Sequence, residues 1–471
     1  MPIIEHLLEQ GTHMGNSNFE AIGEWWDVEN KNRKVSGKLT FSRESGGELE
    51  TKGSLRSPDF GMEWESGKNG EMIGSYTRET EKKSRYYKRI VGSTKSDPVT
   101  LEECTRTRAS GNFLEYKWEI IEPTWMLVGA HFKPGEKLEF DQFTVKLGNL
   151  TRWTAKSGLL ELPIKTLKMM GRTIPPEKEN VWYELRAIPV EAGSFTLKDG
   201  WEVKISHAVT KSGDGIHENK LTQEFSFSAT HSHLRPIEEI FDLVSDLQDL
   251  ITVSSKGASA IRELLLRRPD VVQGPKKQRK NIKFYARWNF PNPSSKDLND
   301  EENSTYFTLS DLGGAEGAKK WIETASQHRL KVSRALSSRY FSGMITDDVI
   351  INAASALESF DKSIKNDNVQ DLKVRLNRMQ KLAGYPFSEM ISDPEMWSDL
   401  LKKYRNESAH NLEKLIDSDF SRKYWISRSA YWLFVICMMR VAELPDSAFQ
   451  VLGGNPNFMF EAGRIKEIDL T

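Results

Sequence analysis

Val35-Ser36-Gly37-Lys38-Leu39-Thr40-Phe41-Ser42 decides the fold class of the N-terminal half. Val35, Gly37, Leu39 and Phe41 alternate with Ser36, Lys38, Thr40 and Ser42, the period of a half-buried strand. Ser45-Gly46-Gly47 supplies a turn. Leu49, Thr51, Gly53 and Leu55 then continue on one face of a returning strand, so 35–55 reads as a β-hairpin. Working outward, the alternation recurs at Leu138 and Phe140, and at Phe143, Val145 and Leu147. It returns at Val181, Tyr183, Leu185 and Ala187, and again at Leu221, Gln223, Phe225, Phe227 and Ala229. Turn formers such as Lys133-Pro134-Gly135-Glu136 and Lys211-Ser212-Gly213-Asp214-Gly215 separate the runs. Many short strands without interleaved long helices predict an antiparallel region, sandwich-like or barrel-like.

The period changes at about residue 236. Ile237, Ile240, Phe241, Val244 and Leu247 form a helical stripe, with Pro236 where a first turn tolerates it. The polar stretch from Ser294 to Ser304 has little to bury and reads as a mobile loop. From about 316 to 444 the chain reads as helix almost throughout. Asp347-Asp348 opens one helix, whose stripe is Val349, Ile350, Ala353, Ala354, Leu357, Phe360 and Ile364. Gly384 and Pro386 punctuate the chain, another helix starts near Asp393-Pro394, and a long one runs from about Phe420 to Leu444. The fold class is therefore α+β and multidomain. Its expected parts are a β-rich domain over 1–235, a mixed connecting region over 236–315, and an all-α bundle over 316–471.

Composition narrows the function classes. The 471 residues carry 66 basic and 67 acidic side chains, a net charge of −1, so any polyanion surface has to be a local patch. Hydrophobic residues make up 38%, ordinary for a globular chain. The longest apolar run, Ala430 to Met439, is far below the ~20 residues that span a bilayer and reads as a buried core helix. Glu5 and His6 follow Ile3 and Ile4 directly, so no signal peptide is read and a cytoplasmic location is expected, away from membranes. Cys104 and Cys437 lie in different kinds of sequence, which excludes a disulfide framework and a cysteine-rich zinc site.

Lys402-Lys403-Tyr404-Arg405-Asn406-Glu407-Ser408-Ala409-His410 carries the chemistry. Arg405 and His410 stand five residues apart, with a polar Asn406 directly after the Arg. This run resembles the signature of HEPN ribonucleases, in which Arg, four to six arbitrary residues and His form the catalytic pair. The bare spacing arises by chance about once in two chains of this composition, so its context matters. It lies in an all-helical segment, after Trp397, Leu400 and Leu401 and before the apolar final helix.

The N-terminal half carries a second resemblance. Gly23-Glu24-Trp25-Trp26 precedes the hairpin. Pro98-Val99-Thr100-Leu101-Glu102-Glu103-Cys104 follows, then Val128-Gly129-Ala130-His131-Phe132 leading into Leu138-Glu139-Phe140 and Trp153. This succession is similar to the N-terminal domain of ApeA-type bacterial anti-phage HEPN proteins. The resemblance implies a β-rich sensor-like region in front of a HEPN bundle. It implies an abortive-infection endoribonuclease that a phage-derived protein activates and that cuts RNA, tRNA being a plausible substrate. It also implies a homodimer, or a higher even oligomer, in which two Arg–His pairs come together.

The residue types suit that chemistry. RNA cleavage can use the 2′-hydroxyl as nucleophile, which needs a group to move a proton and a cation to meet charge on the phosphoryl oxygens. His410 is a proton carrier suited to neutral pH, with an ordinary imidazole pKa near 6.5. Arg405 offers a planar fork for phosphate. Asn406 either orients the phosphate or holds the backbone turn. No metal or other cofactor is required. On one helix, five residues amount to about 140° of rotation, so Arg405 and His410 of one chain share no face unless the helix breaks near Asn406.

Other candidates carry a plainer reading beside the functional one. Residues 262–288 hold nine cations, among them Lys276, Lys277, Arg279, Lys280 and Lys283, opposed by Glu263 and Asp270 alone. With Tyr285 and Trp288 interleaved, the segment suits RNA phosphates and bases; it equally suits a solvated charged face. His231-Ser232-His233 puts two imidazoles on one strand face, but the ligand set is incomplete, favouring a locally hydrogen-bonded pair. Eight of the 13 Trp lie in residues 1–201 and read as core rather than as a binding face. Glu358 reads as a solvated neighbour of its helix's buried stripe or as a support to the site. The competing function is non-enzymatic: a β module recognising peptide, carbohydrate or phage protein, with a helical dimerisation tail. In that case Arg405 and His410 are buried and paired; in a nuclease they open to solvent in one cleft.

Overall fold

The computed structural model describes residues 18–42, 45–56, 62–75, 85–111, 116–164, 167–169, 172–174, 182–214, 217–286, 305–341, 343–367, 371–410 and 420–468. The chain forms two units. The first comprises 1–146, 230–240 and 261–292; the second comprises 147–229, 241–260 and 293–471.

The first unit is built on β1 (Asn18–Asp27), β2 (Val35–Ser42), β3 (Gly46–Lys52), β4 (Glu63–Ser66), β5 (Met72–Ser75), β6 (Tyr86–Thr94), β7 (Pro98–Gly111) and β8 (Tyr116–Val128). The predicted hairpin is β2–β3, with Leu39 opposite Leu49. β1 pairs with β2 and β6, β6 with β7, β7 with β8, and β8 with β3, all antiparallel. Six strands thus close on themselves, which removes the exposed edges an open sheet would carry. β8 is long enough to continue past β3, where Tyr285 of the strand Ile282–Tyr285 faces Met126. Alternation along the strands sends Trp25, Leu39, Phe41, Leu49, Ile90, Leu101, Cys104, Ile121 and Met126 into one core, together with Tyr285. Gly92 leaves room for the Trp25 ring: a Cβ there would sit 2.2 Å from it. Glu119 is fully buried and is satisfied by Ser54 Oγ at 2.7 Å and Arg106 Nη1 at 3.1 Å.

The tryptophan expectation holds in part. Trp25, Trp153 and Trp201 are core residues, whereas Trp64 on the β4–β5 hairpin and Trp118 on β8 are exposed. Phe140, Phe143, Val145 and Leu147 are buried on β9 (Glu139–Leu147), as their alternation predicts. The strand Trp182–Ala187 also forms, but its Leu185 is 55% exposed. It pairs with Leu159–Ile164 in a two-stranded ribbon of its own. The half-buried face expected there is corrected accordingly. The stretch 294–304, Val181 and Gly215 lie outside the described residues.

The second unit holds a short helix α1 (Leu150–Thr154), the strands Ser194–Thr196 and Glu202–Ser212 with most of Lys220–Pro236, and the helices. Phe225, Phe227 and Ala229 are buried as the alternation predicts. The helices are α2 (Ile237–Ser254), α3 (Gly314–Tyr340), α4 (Thr346–Lys365), α5 (Leu372–Ala383), α6 (Pro394–His410), α7 (Phe420–Val441), α8 (Asp446–Gly454) and α9 (Pro456–Lys466). The apolar run of α7 is buried from Ser429 to Met439 and forms the bundle's axis. Ile350, Ala353, Ala354, Leu357 and Phe360 of α4 pack as the stripe predicts. Asp361 is buried on the same helix and receives Arg375 Nη1 at 3.0 Å. Helix extends past the expected end near 444: α8 and α9 follow, and Glu461 of α9 accepts from Trp432 Nε1 at 2.8 Å and Arg428 Nη2 at 2.7 Å. Cys104 and Cys437 are free and buried, and burial pushes both thiols up.

Candidate active site

α6 begins where the sequence indicates. Pro394 takes the first helical position, and Asp393 Oδ1 accepts from the backbone N–H groups of Glu395 at 2.9 Å and Met396 at 3.0 Å. Trp397, Leu401 and Tyr404 are buried at helical spacing and turn one face of α6 into the bundle. Trp397 Nε1 donates to Ser429 Oγ of α7 at 2.8 Å, which fixes that face. Ser408 continues the same stripe four residues after Tyr404. Its hydroxyl donates to Asp347 Oδ1 in the first turn of α4 at 2.5 Å.

The three motif residues sit on the last two turns of α6. Arg405 lies beside the buried stripe, 35% exposed. Its Nη1 donates to Asn406 Oδ1 at 3.1 Å, and its Nη2 lies 3.6 Å from Glu358 Oε2 of α4. Asn406 is exposed, and His410 is the last described residue of the helix. The helix runs unbroken through Asn406, so positions 405 and 410 diverge by about 140° around its axis. One chain therefore does not present both positions on one face. Asn406 makes no turn there, and its side chain instead engages the guanidinium of Arg405.

Charges of both signs surround the motif, Glu407 among them. Lys403 is exposed, and Lys402 Nζ pairs with Asp371 Oδ1 at 3.0 Å. Lys423 of α7 pairs with Asp347 Oδ1 at 3.2 Å and lies 5.7 Å from the Tyr404 ring centroid. Glu358, read from the sequence as a solvated neighbour of its stripe or a support to the site, is partly exposed and lies in a loose ion pair with Arg405. Ser408, Asp347 as a side-chain acceptor, and Lys423 are contacts that sequence reasoning missed. The i, i+4 step from Tyr404 to Ser408 was the signal for the first.

The basic segment belongs to the first unit, and several of its cations already have acidic partners. Arg268 pairs with Glu136 at 2.9 Å, Arg279 with Asp141 at 2.8 Å, and Lys280 with Asp97 at 2.7 Å. Lys276 and Lys277 stand exposed at the turn between the short strands Val272–Gln273 and Gln278–Arg279, and Lys283 is exposed. Tyr285 is not a stacking platform: it is buried in the barrel core, stacked with Phe19 at 5.6 Å between ring centroids. Arg287 and Trp288 lie outside the described residues. His231 Nδ1 accepts from the His233 backbone N–H at 3.0 Å, and His233 Nδ1 bonds Ser232 Oγ at 2.9 Å, the local hydrogen bonding expected of this pair. Among the described residues, no group of three or more His, Cys, Asp or Glu side chains is placed to hold a metal, and no helix is long and apolar enough to cross a membrane.

Comparison with protein families matches residues 20–321 to the model described as ApeA N-terminal domain 1. The match covers the barrel unit and ends inside α3, so α6 lies beyond it. No curated protein and no solved structure matches the chain.

Proposed function

The chain belongs to the ApeA N-terminal domain 1 family, a membership that points to anti-phage defence, and on that premise we propose that it is a metal-independent endoribonuclease of abortive infection. One observation carries the nuclease reading. Arg405 and Asn406 stand at the solvent-facing end of α6, inside a helical bundle, with the guanidinium partly exposed rather than locked in a buried pair. In a dimerisation tail Arg405 and His410 would both be buried and paired; the partial exposure of Arg405 supports the nuclease reading for that one residue.

In the proposed reaction the 2′-hydroxyl of the RNA attacks the adjacent phosphate, forming a cyclic phosphate and releasing a 5′-hydroxyl. His410 moves the proton. Arg405 meets the charge that builds on the phosphoryl oxygens, with Asn406 and Glu358 orienting its fork. Because positions 405 and 410 diverge on one helix, a two-fold dimer would supply the convergence that one chain lacks. The partners of this reading are RNA, tRNA as the favoured substrate, and a phage-derived protein that acts through the N-terminal region. Its location is the cytoplasm.

The test is cleavage of total tRNA by the purified chain, with and without lysate from phage-infected cells. Cleavage that needs the lysate, survives EDTA and leaves cyclic phosphate ends is expected. A magnesium requirement with simple hydrolytic ends would overturn the mechanism. For the dimer, His410→Ala chains are mixed with parent chains and allowed to exchange. Activity should fall below the parent-chain fraction; activity in strict proportion would indicate independent single-chain sites.

A further inference from the structure

Asp347 joins two helices that flank the motif. Its Oδ1 accepts from Ser408 Oγ at 2.5 Å and from Lys423 Nζ at 3.2 Å. Ser408 stands in the last turn of α6, two residues before His410, and Lys423 stands in the first turn of α7. One carboxylate at the start of α4 therefore touches both α6 and α7.

The location matters because a helical turn that is not packed opens at little cost. Upstream, α6 is held by Trp397, Leu401 and Tyr404 in the core. Beyond Tyr404, Ser408 continues that face and reaches α4 through Asp347, beside the looser Arg405–Glu358 pair. A hydroxyl inside a helix ordinarily turns to its own backbone; here it is spent across the helix pair. The acidic group also sits favourably at the N-terminal end of α4.

We propose that Asp347 is a positioning residue for the Arg405–His410 pair. Through Ser408 it holds the last turn of α6, and through Lys423 the start of α7, so that the pair meets a phosphate in a fixed geometry. This rests on the ribonuclease reading above and adds a residue outside the motif that the reaction depends on. The dependence is geometric: small misplacement of a catalytic group costs far more in rate than in binding.

The experiment uses the full chain. Backbone hydrogen exchange is measured for the parent, Asp347→Ala, Asp347→Asn and Ser408→Ala, and cleavage of tRNA is measured on the same preparations. In Asp347→Ala the amides of 404–410 should exchange about tenfold faster. Asp347→Asn should fall between, because its amide oxygen still accepts from Ser408. The kcat of Asp347→Ala should fall about ten- to a hundredfold while KM stays within about twofold. Ser408→Ala, which favours helix, should reproduce the loss, and the double variant should be no slower than either single one. Unchanged exchange in Asp347→Ala overturns the inference whatever the cleavage does. Faster exchange with parental kcat overturns the positioning role. Arg405→Ala and His410→Ala, run alongside, separate the two claims. If both cut like the parent, the ribonuclease reading has failed; if both are inactive and Asp347→Ala is not, the positioning inference alone has failed.

Discussion

Asp249 shows how strongly one buried residue responds to its surroundings. It lies on α2 and accepts from the Tyr340 hydroxyl of α3 at 2.5 Å, and burial pushes its carboxyl up to about 7. Neighbouring Asp246 is pushed up to about 6 by burial, which outweighs the Arg329 fork donating at 3.0 and 2.7 Å. Between the ordinary aspartate value near 3.9 and about 7, the native chain keeps protons that the unfolded chain has released. The stability tied to these protons is complete below about pH 4 and is lost as pH rises through about 7. Asp249→Asn keeps an acceptor for Tyr340 and carries no charge. Its urea midpoint should therefore fall less than the parent's between about pH 5 and pH 8. Equal falls in both proteins would contradict this account of Asp249. At the same scale Arg405 and Glu358 form a loose pair at 3.6 Å, both about a third exposed, and in the proposed reaction the guanidinium would exchange this carboxylate for a phosphate.

The elements divide into those that local pattern dictates and those that tertiary partners decide. β2 and β3 were legible because their alternation and their Gly-containing turn agree, and Leu39 and Leu49 do face one core. The barrel's closure was not, because the β3–β8 and β1–β6 pairings join residues far apart in sequence, where periodicity carries no partner information. Leu185 failed for the opposite reason: its strand forms, but in a two-stranded ribbon, and among the described residues the side chain stays exposed. On α6 the motif was legible by spacing, whereas Asp347 and Lys423 reach it from other helices and left no local trace. The close fit of Gly92 on β6 against Trp25 gives a direct check of the barrel. Gly92→Ala forces the ring or the strand to move and should destabilise the protein by about 1–3 kcal/mol in a denaturation experiment. A change within about 0.5 kcal/mol would mean that the core has slack there.

At the scale of the whole molecule, the near-zero net charge means that RNA contact depends on local patches. Arg279 and Lys280 already face Asp141 and Asp97, so Lys276 and Lys277 at their turn are the freer charges of the basic segment. If the segment grips RNA, Lys276, Lys277, Arg279 and Lys280 changed together to Gln should weaken binding and flatten its salt dependence, with kcat at saturating RNA little changed. Parental binding at every salt concentration would leave the segment a solvated face. The family match covers the barrel unit, and the proposed chemistry lies in the bundle beyond it, so the central claim stands on His410 and Arg405 themselves. The most direct measurement is end-group analysis of RNA cut in EDTA by the parent and by His410→Ala, each first shown to fold and to assemble alike. The account predicts cyclic phosphate ends from the parent and intact RNA from His410→Ala; cleavage that persists in His410→Ala would contradict it.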